Sequence, residues 1–221
     1  MIARPPLAVP LLALAAFLVL LALTLGGWAP LDRFDAAASD GFREHGTANP
    51  RLVSVLRVAT DVAATVPFVA AGLLVGLALA ARSRRRAAAF CVAVTVVVPV
   101  LWGLMHALVH HPRPVDGFVV VHSNGFPSGH TSNAAAAALV AVLLLWPRLA
   151  GPARPVAVAL AALFALFVAL TRVALLAHWP TDVLGGWLLA LAVVPLLARI
   201  VDPPGRAVGS RPQARPDRAA R

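Results

Sequence analysis

The chain has 221 residues, 60% of them hydrophobic and only 13% charged, with a mean hydropathy of +0.84. Soluble domains carry about 25% charged residues, so an ordinary water-soluble domain is excluded, and the length allows one membrane domain of several helices. The formal charge of +10 rests on nineteen basic residues, all of them arginine. They lie between apolar runs and not on one soluble face, which points away from nucleic acid and towards membrane topology and anionic lipid. Cys91 is the only cysteine, which excludes an intrachain disulfide or a cysteine-rich metal site. It sits in an apolar run and reads as a packing residue.

A membrane-spanning helix needs about 20 mostly apolar residues. Six segments are candidates: about Leu7–Leu25, Val62–Ala81, Ala87–Val109, Thr131–Trp146, Val156–Ala177 and Val183–Leu197. The expected fold is all-α, a six-helix membrane domain over residues 1–200. The first segment has a basic start at Arg4, but it is long and no clear small-residue cleavage site follows, so it reads as a retained anchor. Between it and the second lies the longest connection, Gly26–Asp61. Within it, Asn49-Pro50 has the form of a helix start, and Leu52, Val55 and Leu56 form an apolar stripe. That stripe fits either a helix lying at the membrane interface or an extension of the second span. Asp61, near Arg57, reads as a local pair or a helix start. The Arg- and Pro-rich end, residues 201–221, reads as a disordered cytoplasmic tail.

Alternation of the six spans puts thirteen of the nineteen arginines on one side. The positive-inside rule then makes that side cytoplasmic, with both termini in the cytoplasm of a plasma-membrane protein. The polar strings of the chain fall on the other, outer side.

Three such strings occur in order: Arg113-Pro114; Pro127-Ser128-Gly129-His130; and Thr171-Arg172 followed by His178 and Asp182. Arg172 lies inside an apolar run, where a charge costs about 2.5–3.5 kcal/mol on insertion scales, so it marks function by default. Arg113 ends another span, and acids near the two arginines are few. Paired arginines suit phosphate, whose oxygens guanidinium binds bidentately. Ser128-Gly129-His130 precedes a helix, where free N–H groups and the helix dipole attract an anion. His178 and Asp182 are four apart, with Pro180 suited to a first helical turn. The carboxylate is thereby able to hold one imidazole nitrogen and leave the other as a neutral nucleophile. Taken singly, the Ser-Gly turn also fits a plain N-cap, and the histidine also fits a loop residue beside a helix-starting aspartate. His110, His111 and His122 lie nearby without a clear metal-ligand set and read as interfacial loop polarity.

Together these strings resemble the superfamily of type-2 phosphatidic acid phosphatases and vanadium haloperoxidases, in its membrane lipid phosphatase branch. The family pattern is Lys, six residues, Arg-Pro; then Pro-Ser-Gly-His; then Ser-Arg, five residues, His, three residues, Asp. The chain gives His106, six residues, Arg113-Pro114; then Pro127-Ser128-Gly129-His130; then Thr171-Arg172, five residues, His178, three residues, Asp182. Thr171 for serine keeps the hydroxyl. His106 for lysine is the larger departure, because imidazole has a reference pKa near 6.5 against about 10.4 for lysine. The resemblance implies a metal-independent phosphatase without cofactor. In it His178 attacks phosphorus to form a phosphohistidine, Asp182 orients His178, and His130 protonates the leaving oxygen. Arg113, Arg172, Ser128, the Gly129 N–H and His106 hold the phosphate oxygens. The implied partner is a lipid phosphate at the outer leaflet: polyprenyl diphosphate, phosphatidylglycerol phosphate or phosphatidic acid, with outward chemistry favouring the first. The alternatives are a catalytically impaired lipid-phosphate-binding protein and a small anion transporter, both using the same arginines.

Overall fold

The computed structural model describes residues 2–203. It is all-α, with eight helices: α1 (Ala8–Leu25), α2 (Ala29–Ala48), α3 (Pro50–Thr60), α4 (Thr65–Ala81), α5 (Arg85–Leu108), α6 (Gly129–Leu145), α7 (Ala153–Ala174) and α8 (Pro180–Val201). Six helical segments are long and apolar enough to cross a membrane: α1, α3 continuing into α4, α5, α6 with its terminal 3-10 turn, α7, and α8. Large apolar side chains point outwards along them, among them Val66 at 78% exposure and Leu160 at 63%. Such a surface is stable only against lipid, and the chain is a multi-pass membrane protein.

α6 is the central helix, packed on α4, α5, α7 and α8. Its first half is built of small residues, with Ser132, Asn133, Ala134, Ala135 and Ala136 all buried. Small side chains let apolar helices approach closely where lipid supplies no hydrophobic drive. The approach to α8 is tightest at Gly186, where a Cβ would stand 2.8 Å from the Ser128 carbonyl oxygen.

The connection before α4 contains more structure than the sequence pattern indicates. α2 is an amphipathic helix that packs on α7 and α8. Asn49 is the N-cap residue of α3 and Pro50 its first residue, as the sequence indicates, but the Asn49 side chain makes no capping bond; its amide donates back to the His45 carbonyl. α3 is a separate helix, joined to α4 through a 3-10 turn at Asp61–Ala63 and an extended Ala64. The stripe is rotated from the expected one: Val53 and Leu56 pack on Leu175, Ala177, Phe118 and Val119, while Leu52 and Val55 are exposed. Asp61 makes no salt bridge among the described residues.

α7 ends at Ala174, three residues before the expected Ala177, and the reason is local. The amide of Leu176 donates to the Val173 carbonyl and that of Ala177 to the Arg172 carbonyl. This is the Schellman pattern, in which the C′ residue adopts a left-handed conformation and is usually glycine. Here it is Leu176, at φ 51°. A non-glycine residue there costs about 1–2 kcal/mol, and the fully buried Leu175 and Leu176 side chains offset that cost by packing.

The folded part continues past residue 200. Val201 closes α8, and Asp202 is buried against the chain start. The Asp202 carboxylate accepts from the Ile2 amide (3.0 Å) and from Arg86 (2.9 Å), with Arg4 at 3.4 Å. The tail expected over 201–221 otherwise lies outside the described residues. The Ile2 amide bond, with the two arginines, holds the Asp202 carboxyl below the usual carboxylate range. Its stabilisation is therefore present above the ordinary carboxylate pKa and lost as pH falls through the lowered value. Asp202→Asn is expected to lower the melting temperature of the detergent-solubilised protein at pH 7. The difference from wild type should shrink as pH falls below the ordinary carboxylate pKa, which thermal melts over an acidic pH series check.

Candidate active site

The loop between α5 and α6 folds back over the ends of α7 and α8 at the end of the bundle opposite Asp202. Trp179 Nε1 donates to the Pro112 carbonyl (2.8 Å), the Phe118 amide to the Leu175 carbonyl (3.0 Å), and the Ser128 amide to the Asp182 carbonyl (2.9 Å). Asn124 ties the loop to α5 through the His106 carbonyl (2.9 Å), and the Gly125 amide bonds the His111 carbonyl (2.8 Å). These contacts bring the three separated strings of the sequence to one place.

Arg113 is the staple of this loop. Nε donates to the Ser123 carbonyl (2.8 Å), Nη2 to Ser123 Oγ (3.1 Å) and the Asn124 carbonyl (2.9 Å), and Nη1 to the Ala177 carbonyl (2.6 Å). Nη1 also lies 2.8 Å from His178 Nε2. A guanidinium has five N–H donors, and all five are engaged. Each of these acceptors is neutral, and among the described residues no carboxylate is in salt-bridge contact with the guanidinium.

Arg172, 4% exposed, also forms no salt bridge among the described residues. Its Nη1 donates to Thr60 Oγ1 (3.3 Å), and its Nε is buried without a partner. Thr171 donates to the Val168 carbonyl (2.6 Å) and lies 2.9 Å from Thr60 Oγ1. The α3 terminus therefore props Arg172 through Thr60, a residue the sequence gave no reason to single out.

His178 is buried in the turn between α7 and α8. Asp182 occupies the third position of α8, where its Oδ2 accepts from the Trp179 amide (3.0 Å) and from His178 Nδ1 (3.3 Å). The helix-start and histidine-orienting readings of Asp182 are thus both satisfied by one oxygen. With Nδ1–H directed to Asp182, the Nε2 lone pair is the one that meets Arg113. Burial, then the charges of Arg113 and Arg172, hold the His178 pKa well below the usual imidazole range, so the ring is neutral near pH 7.

Ser128 is the N-cap of α6; its hydroxyl oxygen accepts from Thr131 Oγ1 (3.0 Å) and more distantly from the Thr131 amide (3.5 Å). Its own hydroxyl proton is left to donate. Gly129 opens the helix against Trp102, where a Cβ would find 3.1 Å. His130, half-buried in the first turn, is within electrostatic reach of Arg172 and Arg113. His106 lies with its ring centroid 6.5 Å from that of His178. Its Nε2 donates to the Pro127 carbonyl (2.7 Å) and its ring packs on Trp102. A neutral ring in that arrangement has no N–H left for phosphate.

Two further carboxylate contacts belong to this region. Asp35 on α2 accepts from the Thr181 amide (3.1 Å) and hydroxyl (2.5 Å), clamping the start of α8, and burial raises its pKa. His111, expected as loop polarity, is instead turned inwards, with Nε2 3.4 Å from Asp182 Oδ1; His110 and His122 are exposed. Among the described residues no group of three or more metal-ligating side chains is assembled.

Gly125 closes the wall around Asp182, since a Cβ there would lie 2.7 Å from Oδ2. Gly125→Ala is expected to cost about 1–3 kcal/mol by overpacking, read as a fall of several degrees in melting temperature. Gly103→Ala, with nothing within 4 Å of the added carbon, is the control expected to show no loss.

A family model described as the PAP2 superfamily matches residues 114–206. Phosphatidylglycerophosphatase B of Escherichia coli strain K12 is 44% identical over 69 residues, which is 31% of this chain and 26% of the relative. The enzyme of the same name from Shigella flexneri matches with the same values. The match thus spans about a quarter of the length of these curated relatives. Among solved structures, a transmembrane PAP2 type phosphatidylglycerolphosphate phosphatase from Bacillus subtilis superposes with a TM-score of 0.73 at 25% identity, covering 86% of this chain and 94% of that one.

Proposed function

Since the chain belongs to the PAP2 superfamily, we propose that it hydrolyses a lipid phosphate at the outer face of the plasma membrane through a phosphohistidine on His178. The observation that carries this reading is the convergence, at one end of an apolar bundle, of two arginines without salt bridges among the described residues and a neutral His178 bonded to Asp182. Phosphoryl transfer asks a protein chiefly for positioning and charge stabilisation, and this arrangement supplies both.

In the proposed reaction the phosphate enters between Arg113 and Arg172 and replaces the Arg113 contact with Nε2. The Nε2 lone pair attacks phosphorus while Nδ1–H stays on Asp182. The bond to the lipid oxygen breaks as His130, protonated together with the entry of the phosphate anion, gives that oxygen its proton. Water then loses a proton to His130 and attacks phosphorus, and the P–N bond breaks to release phosphate. The arginines, the Ser128 hydroxyl and the Gly129 N–H hold the equatorial oxygens throughout. The chemistry draws on no cofactor or metal ion. An open cleft of about 640 Å³ beside His106, Arg113 and Asn124 leads to the site from the polar side. An apolar groove of about 340 Å³ lined by Phe68, Val75, Cys91, Val94 and Phe164 suits a lipid tail. Among the three substrates, phosphatidylglycerol phosphate stands first because the relatives carry that name.

Phosphate release from detergent-solubilised protein in EDTA, on a panel of the three lipids, tests this reading. His178→Ala is expected to reduce release by at least a thousandfold; equal release from wild type and variant would overturn the histidine mechanism. Lipid-phosphate binding or vesicle uptake without release would favour the non-catalytic alternatives.

A second test concerns His106. Only a protonated ring has an N–H to spare for phosphate beyond its bond to Pro127. His106→Lys, whose ammonium has a reference pKa of about 10.4 and stays charged where the imidazole is neutral, is therefore expected to lower KM several-fold at pH 8.5. An unchanged KM in the variant would remove His106 from phosphate binding.

A further inference from the structure

Asp182 is fully buried, and its two oxygens are treated differently. Oδ2 accepts from Trp179 and His178; Oδ1 has no hydrogen-bond partner meeting ordinary geometry among the described residues. Leaving a buried carboxylate oxygen without a donor is costly. Arg113 is the cation closest at hand, but its five donors are taken by Ser123, Asn124, Ala177 and His178. The polar atom that does approach Oδ1 is His111 Nε2, at 3.4 Å, itself buried and equally without another partner. The contact falls short of hydrogen-bond geometry, but it joins two buried polar atoms that have no other partner among the described residues.

The placement of His111 is built in. Its carbonyl accepts from the Gly125 amide, and its ring stands edge-on to Phe126 at 89° and 6.3 Å between centroids. Phe126 is in turn held by Gly185 of α8, where a Cβ would meet the ring at 2.6 Å. The same helix therefore carries Asp182 and the surface that sets the angle of the His111 ring. Asp32 and Asp35 of α2, His110 in the loop, and Arg113 and His178 are the other titratable or charged groups around the pair.

We propose that His111 is a positioning residue for the reaction, donating from Nε2–H to Asp182 Oδ1 so that the carboxylate which orients His178 is itself held from its other side. Asp182 then lies between two imidazoles, one reacting and one fixed. Burial holds the His111 pKa below the usual imidazole range. The ring is neutral near pH 7 and donates as the Nε2–H tautomer, leaving Nδ1 as an acceptor. The inference rests on the reading of His178 as nucleophile, but its geometry is separable from turnover.

The test uses three variants of the full chain in detergent. His111→Phe keeps a planar ring and removes the donor. It is expected to lower kcat about tenfold, equivalent to about 1.4 kcal/mol, with KM within twofold. His111→Gln places an amide N–H near the position of Nε2 and is expected to restore most of kcat. In histidine-labelled protein, Asp182→Asn is expected to shift the His111 Nε2 nitrogen resonance and leave those of His110 and His122 in place. Wild-type kcat in His111→Phe would overturn the proposal. So would a folded His111→Gln as impaired as the phenylalanine variant, or a His111 resonance that ignores Asp182→Asn. Full turnover in His178→Ala would instead remove the nucleophile reading, and the resonance alone would then decide whether His111 holds Asp182.

Discussion

The buried carboxylate of Asp182 is the constraint around which this end of the molecule is arranged. An ionised carboxylate away from water is stable only if its oxygens find donors and a favourable field. The first turn of α8 supplies the Trp179 amide and the positive end of the helix dipole. The turn after α7 supplies His178, and the α5–α6 loop brings Arg113 and His111. Each comes from a segment with no reason of its own to lie there. The left-handed Leu176 and the close glycine contacts at Gly125, Gly185 and Gly186 follow from packing these segments around one small group.

Arg113 and Arg172 divide the remaining electrostatics. Arg113 spends its donors mostly on loop carbonyls, which fixes its position without a salt bridge to any carboxylate among the described residues. Arg172 is buried in a helix, with a threonine oxygen for its nearest support. Two such charges next to a neutral imidazole lower the affinity of that imidazole for a proton. An anion entering between them would be attracted by the same field. Burial is the first reason that His178 is neutral, and the same buried cations that reinforce it would attract the phosphate of the proposed reaction.

The spans were legible in the sequence because twenty-residue apolar runs have few other uses, and the helix ends fell within a few residues of those expected. Of the site strings, Pro-Ser-Gly-His and His-x-x-x-Asp were legible because they sit at helix starts, where side-chain chemistry is set locally, whereas Arg-Pro lies in the α5–α6 loop, five residues past the end of α5. What the sequence hid is long-range. α2 is polar on average, and its inward acid, Asp35, has meaning only opposite Thr181. Thr60 looks like any helix-end threonine until α3 packs on α7. His111 resembles its exposed neighbours, and only the return of the loop separates it from them. The end of α7 was misjudged because its left-handed residue is leucine and not glycine, so the usual stop signal is missing.

His106 illustrates how one substitution redistributes roles without emptying a position. The lysine of the resembling pattern would carry a permanent charge on a flexible stem. The imidazole instead carries its charge conditionally, is rigid, and packs on Trp102. Its Nε2 bonds the Pro127 carbonyl, one residue before the Ser128 cap, so the ring joins α5 to the start of α6. That contact fixes the turn that presents the Ser128 hydroxyl and the Gly129 amide. The position thus gains a brace and yields constant charge, and the permanent positive field of the site falls to Arg113 and Arg172. In the proposed reaction, a site organised in this way would bind its anion chiefly through rigid, preplaced donors, with the imidazole charge as a pH-dependent addition.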